Sequence, residues 1–171
     1  VPTSVGTFTG SITHTTLGAV TQTQNLTGSV VPSTWYSVAS GNINGAAVWS
    51  ATPSGSPDPL AYSKFRIDVS LIIQSSHIVA LPASLAPTNV KNLTINSGGK
   101  LWRNNNSTAN MVYLNVYGNI TNNGVIGNGT TFDAIGFNVE GNCNFTGVGI
   151  HNLGRVRKNT SSLTSTLTIL T

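Results

Sequence analysis

The chain has 171 residues, 39 % of them hydrophobic and only 7 % charged, and eight Lys/Arg against four Asp/Glu leave a formal net charge of +4. That length makes one domain able to bury a core, and alternation of β-branched with polar residues argues against disorder, so Asn, Thr and Ser must supply the surface polarity. Basic residues interleaved with exposed aromatics are too few for a nucleic-acid surface, and no apolar run approaches the ~18 residues of a membrane-spanning helix.

Residues 1–33 are rich in Thr, Ser and Gly, with thinly spread apolar residues such as Val5, Phe8, Ile12, Leu17 and Val20. β-Branched Thr favours strands over a flexible linker, so this segment reads as an extended arm that pairs with something. Residues 34–171 read as the main domain, opening with a Trp-containing cap and a Pro-rich loop over 34–64. The cap is carried by Trp35-Tyr-Ser-Val38, Ser40-Gly-Asn42 and Ala47-Val-Trp-Ser50, two tryptophans around a Gly-Asn turn. The loop Pro53-Ser-Gly-Ser-Pro-Asp-Pro59 cannot belong to a central strand, because Pro has no N–H for a ladder.

From Phe65 onward strand patterns are continuous, and three segments can be superposed: Asn92-Leu-Thr-Ile-Asn-Ser-Gly-Gly99, Tyr113-Leu-Asn-Val-Tyr-Gly-Asn119 and Gly136-Phe-Asn-Val-Glu-Gly-Asn142. Ile95, Val116 and Val139 lie 21 and 23 residues apart, and a fourth copy, Thr166-Leu-Thr-Ile169, lacks the Gly turn. A strand repeat of roughly 20–25 residues marks a β-solenoid. The predicted fold is therefore an all-β, right-handed parallel β-helix. Leu93, Ile95, Leu114, Val116, Phe137, Val139, Leu167 and Ile169 should stack as two interior columns, with Gly-Asn corners between strands. Asn104-Asn-Asn-Ser-Thr108 reads as a loop leaving the coil, and no segment keeps a helical period.

The order Trp35-Tyr-Ser, Ser40-Gly-Asn42, Trp49-Ser50, Ser76-His-Ile-Val79 and Asn92-Leu-Thr-Ile-Asn-Ser-Gly-Gly-Lys-Leu101 resembles the repetitive secreted and surface proteins of Bacteroidetes. It is also similar to the G8 domain of extracellular β-rich proteins. Gly154-Arg-Val-Arg-Lys-Asn159, followed by a Leu-Thr-Ile strand, looks like the closing coils of the same proteins. Ile43 stands where that pattern carries Trp, and Ser76 where it carries Gly. The resemblance covers about residues 35–171 and implies an architecture and an extracellular or cell-surface location, with roles in adhesion, gliding or matrix, not an enzymatic activity.

The acids Asp58, Asp68, Asp133 and Glu140 form no evident catalytic pair. His14, His77 and His151 have no ligand spacing, so no metal or other cofactor is expected. Cys143, the only cysteine, shares strand parity with Val139 and Phe145 and reads as a small buried hydrophobe. Aromatic candidates for stacking on sugars are Trp35, Tyr36, Trp49, Trp102, Tyr113 and Tyr117, with Trp102 beside Arg103 the foremost. Arg155 and Arg157 share one strand face, where they could meet phosphate, sulfate or an acidic glycan.

The sequence thus predicts a non-catalytic extracellular structural or adhesive subunit. Trp35, Trp49, Trp102, Arg103, Arg155 and Arg157 are its candidate glycan or assembly contacts. Its expected partner is itself, through the N-terminal arm and the C-terminal strand, in a head-to-tail or strand-exchanged fibre. The alternative is a module that binds, or less readily cleaves, extracellular polysaccharide.

Overall fold

The computed structural model describes residues 6–18, 20–103, 111–128, 133–158 and 166–170. The chain divides into two compact units, residues 1–32 and 33–171. In the first, β1 (Gly6–His14) pairs antiparallel with β2 (Gln22–Val30) in an unbroken register from Gly6↔Val30 to His14↔Gln22. The segment expected as an extended arm is thus a hairpin of two strands. Gly18, at φ 82°, lies between the two strands, a backbone region that glycine enters without steric cost.

The second unit is a parallel β-solenoid. Its first coil contains β3 (Thr34–Ser37) and β4 (Gly41–Asn42), followed by a short return strand, β5 (Trp49–Ser50). A single 3-10 turn, Ala61–Lys64, is the only helical element among the described residues. Three-sided coils follow. β6 (Ser70–Ile73), β7 (Ile78–Leu81) and β8 (Thr88–Val90) form one. β9 (Leu93–Ile95), β10 (Lys100–Arg103) and β11 (Val112–Val116) form the next. Then come β12 (Ile120–Asn122), β13 (Val125–Ile126) and β14 (Asp133–Val139). β15 (Cys143–Thr146), β16 (Ile150–His151), β17 (Leu153–Lys158) and β18 (Leu167–Ile169) complete the described chain.

Successive coils stack these strands into three sheets. Sheet one runs β5-β3-β6-β9-β12-β15-β18, sheet two β4-β7-β10-β13-β16 and sheet three β8-β11-β14-β17. All solenoid pairings are parallel except β3 with β5. Strand alternation sends every second residue inward, and the inward residues form ladders at the ~4.8 Å spacing of paired strands. In sheet one, Trp35, Leu71, Leu93, Ile120 and Phe145 are in successive register. In sheet two the series is Val79, Leu101, Ile126 and His151, and in sheet three Val90, Val116 and Val139. The aliphatic rungs of these ladders are at most 1 % exposed. Burying each such side chain contributes about 1.5–3 kcal/mol, which is what holds the coil together.

The ladders correct the two-column expectation. Leu93 and Ile95 belong to sheet one, whereas Leu114, Val116, Phe137 and Val139 belong to sheet three. Ile169 returns to sheet one opposite Phe145, and Leu167 pairs there with Cys143. Ile95 and Val116 thus occupy different sides of one coil. The true rung-to-rung offsets, read from corner hydrogen bonds, are 22, 27, 25 and 24 residues. The longest belongs to the coil containing 104–110, whose extra length makes a neighbouring side imitate a full repeat. The loop expected at Asn104 to Thr108 lies outside the described residues.

The cap forms as a return strand at one end. β5 pairs antiparallel with β3 through Tyr36↔Ser50 and Ser37↔Trp49. The Pro-rich loop is tied down by Asp58, whose N–H donates to Trp49 O and whose carboxylate is paired with Lys64. That hydrogen bond from Lys64 is the main reason the Asp58 carboxyl titrates below its ordinary range. Phe65 meets Trp49 edge-on at 5.4 Å between ring centroids, and Tyr62 bonds Thr88 of sheet three at 2.8 Å.

Candidate functional site

Alternation decides which of the sequence candidates can reach a ligand. Trp35 and Trp49 are 1 % and 0 % exposed. Trp49 donates its ring N–H to Ile43 O at 2.7 Å, and Lys64 Nζ lies 5.4 Å from the Trp35 ring centroid. Neither indole offers a face to a sugar, because both fill the capped end of the interior. Arg103 is likewise buried at 2 % exposure, and its backbone N–H donates to Asp133 Oδ2. Trp102 and Arg103, expected to act together, are adjacent strand residues and so lie on opposite faces of sheet two.

Trp102 is half-buried on the outer face. It is in register with Ala80, lines a shallow pocket with Ile78 and Asn42, and has Lys100 Nζ at 5.3 Å from its ring. Arg155 and Arg157 are both exposed on the outer face of β17. Of the six candidates, only these two share a surface, that of sheet three.

A groove of about 440 Å³ crosses the outer face of sheet three, within the size range of ligand pockets. Asn115 and Asn138 form its floor and belong to a longer column on the same face. Asn89, Asn115 and Asn138 are in direct register, and the fourth rung is Arg157. Asn115 donates from Nδ2 to Asn89 Oδ1, and Asn138 donates from Nδ2 to Asn115 Oδ1, both at 2.8 Å. One wall carries Leu85 and Pro87 and another Tyr117, which is 38 % exposed, while Glu140 lies at the end of β14.

Tyr113 closes the remaining side. Its ring lies so close on Gly136 that a Cβ there would sit 2.4 Å from Tyr113 Cε1. The guanidinium carbon of Arg157 lies 4.7 Å from the centroid of the same ring. Gly136 is therefore the residue that lets the tyrosine lie flat, and the tyrosine in turn positions the arginine. Sequence reasoning misses Asn115 and Asn138, because outward polar residues of strands look alike. The signal that could find them is the repeated triplet Thr88-Asn89-Val90, Leu114-Asn115-Val116 and Phe137-Asn138-Val139.

Other constellations serve the scaffold. Ser37 Oγ and His77 Nδ1 are 2.9 Å apart, the geometry of a nucleophile and its base. Ser37 is fully buried, however, and its Oγ accepts the Gln74 N–H. The pair stitches the first two coils together. Asp68 pairs with Arg66 at 2.6 Å, and Asp133 and Glu140 lie at opposite ends of β14, on the order of 20 Å apart by strand rise. Burial pushes the Cys143 thiol up, as suits a core residue. Among the described residues no group of three or more His, Cys, Asp or Glu could hold a metal ion. Comparison of the chain with protein-family models, curated proteins and solved structures finds no match.

Proposed function

We propose that this protein is a non-catalytic extracellular structural or adhesive module that stacks head-to-tail with further copies of itself. The observation that carries the reading is the difference between the first and the last described coils. The first is covered by β5, the Pro-rich loop and the 3-10 turn. In the last described coil, β16, β17 and β18 are the last strands of their sheets among the described residues, and Ile169, which stands opposite Phe145 in the inward ladder, is 56 % exposed. A strand edge carrying apolar side chains is a template for another coil, and a heterologous contact of this kind propagates as a filament.

Two further features support the reading. The acids serve separate local bonds or lie far apart, which is poor ground for acid–base chemistry. The sequence pattern resembling Bacteroidetes surface proteins also carries a small residue at the turn before the His-Ile-Val strand. Here Ser76 takes φ 66°, the left-handed region in which Gly is at home.

The test is analytical ultracentrifugation with electron microscopy of the full chain and of Ile150→Lys/Ile169→Lys. Charged residues on a strand edge block edge pairing. The wild type should form concentration-dependent linear assemblies and the variant should stay monomeric. A wild type that remains monomeric at high concentration refutes the stacking.

A further inference from the structure

We propose that the outer face of sheet three, from the groove over β11 and β14 to the neighbouring arginines of β17, binds an acidic polysaccharide, a strand containing uronic acid, laid along the solenoid axis. The inference rests on the adhesive reading and names the surface and ligand through which adhesion acts.

The column supplies a repeat. The rungs Asn115, Asn138 and Arg157 follow one another at the ~4.8 Å spacing of paired strands, close to the length of one pyranose unit. A polymer lying along the axis therefore presents one sugar to each rung. The amides are already oriented, because each rung donates to the one before it. Their side chains are half-buried, and binding need not order them first.

The ladder also ends at a polar step. Asn138 uses Nδ2 on Asn115, which leaves its Oδ1 as the group able to accept from a ligand. The next rung continues the column not with an amide but with Arg157, whose exposed guanidinium has no carboxylate partner among the described residues. A sugar hydroxyl donating to Asn138 Oδ1 would place the carboxylate of the following unit at Arg157.

The charged groups decide where the ligand's carboxylates sit: Arg155 and Arg157 on β17 attract them, and Glu140, which lines the groove, repels them. Arg155 and Arg157 face outward on the same side of β17. A guanidinium presents a planar fork that matches a carboxylate bidentately. Tyr113, seated on Gly136, holds Arg157 from beneath by a cation–π contact, so the fork is aimed before a ligand arrives. Tyr117, exposed at the groove wall, offers a ring edge and face to the sugar C–H surface.

The experiment titrates the full chain by calorimetry with hexagalacturonate, with cellohexaose as the neutral counterpart and with sodium sulfate as the bare anion. Hexagalacturonate should bind, more weakly as salt rises. Cellohexaose should bind at least about tenfold more weakly, the factor lost with one charged hydrogen bond. Arg157→Ala and Asn138→Leu should each weaken hexagalacturonate by about tenfold or more, and Arg157→Lys should lie between Arg157→Ala and wild type. Trp102→Ala, on sheet two, should leave binding unchanged. Because Arg157 is exposed, its variants keep the test valid if Asn138→Leu fails to fold by circular dichroism.

The inference is overturned if hexagalacturonate does not bind, if cellohexaose or sulfate binds as tightly, or if Arg157→Ala binds like wild type. Ultracentrifugation of the same samples separates this failure from that of the assembly. A chain that forms filaments and ignores hexagalacturonate loses the groove but keeps the stacking.

Discussion

The first and the last described coils of the solenoid are built from the same kinds of residue and packed differently. At the first coil, the chain turns back through β5 and places Trp49, Tyr62 and Phe65 across the interior, with Trp49 fully buried. At the last, His151 replaces the aliphatic residue of its ladder and packs edge-on against Phe145 at 5.0 Å, while Ile169 remains 56 % exposed. A parallel coil satisfies its backbone only through the coils above and below it. A cap is therefore the costly, sequence-specific part of a solenoid.

The largest effect is expected midway between these coils, where both depend on the same ladder. Val116 is fully buried between Val90 and Val139. Val116→Asp buries an unpaired carboxylate costing several kcal/mol and should unfold the solenoid, as read by loss of the β signal in circular dichroism. A soluble, fully β-structured variant would contradict the ladder.

The next prediction sets the two coils against each other. Trp49→Ala removes a filled core position and the bond to Ile43, and should destabilise by about 3–5 kcal/mol. Ile169→Ala should change stability by about 0.5 kcal/mol or less, since that side chain is largely exposed in the single chain. Denaturant melts of dilute protein compare the two, and equal losses would mean that the two coils are packed alike.

The smallest effect is electrostatic and belongs to the capped end. Asp58 has a folded pKa lowered from 3.8, chiefly by the Lys64 hydrogen bond. Its contribution is present above the unfolded pKa and disappears as pH falls through the lower folded value. The pair is partly exposed, so solvent screens it and the effect is modest. Asp58→Asn should thus lose a small part of its stability at neutral pH and show a shallower fall below about pH 4, measured by thermal melts across that range.

Much of the coil is legible in the amino-acid sequence. The alternating triplets Leu93-Thr-Ile95, Leu114-Asn-Val116 and Phe137-Asn-Val139 are strands with inward ends, and the structure buries each inward residue. The tryptophan block is legible as a cap, because two indoles around a Gly-Asn turn precede a Pro-rich loop that no central strand tolerates. The buried state of Cys143 follows from its parity with Phe145. The opposite facings of Trp102 and Arg103 are written in the same alternation but masked by their adjacency in the chain.

By itself, then, the sequence determined the strand identity of each triplet, the inward and outward residues, and the repeating coil, since a period of two and the turn chemistry of Gly and Asn are local properties. The tertiary structure decided which strand lies over which. Sheet assignment depends on the summed lengths of three sides and their corners, and a few extra residues in one corner shift every later alignment. Only that stacking brings Asn89, Asn115, Asn138 and Arg157 into one column and lays Tyr113 over Gly136, although successive members of the column lie 19–26 residues apart in the chain.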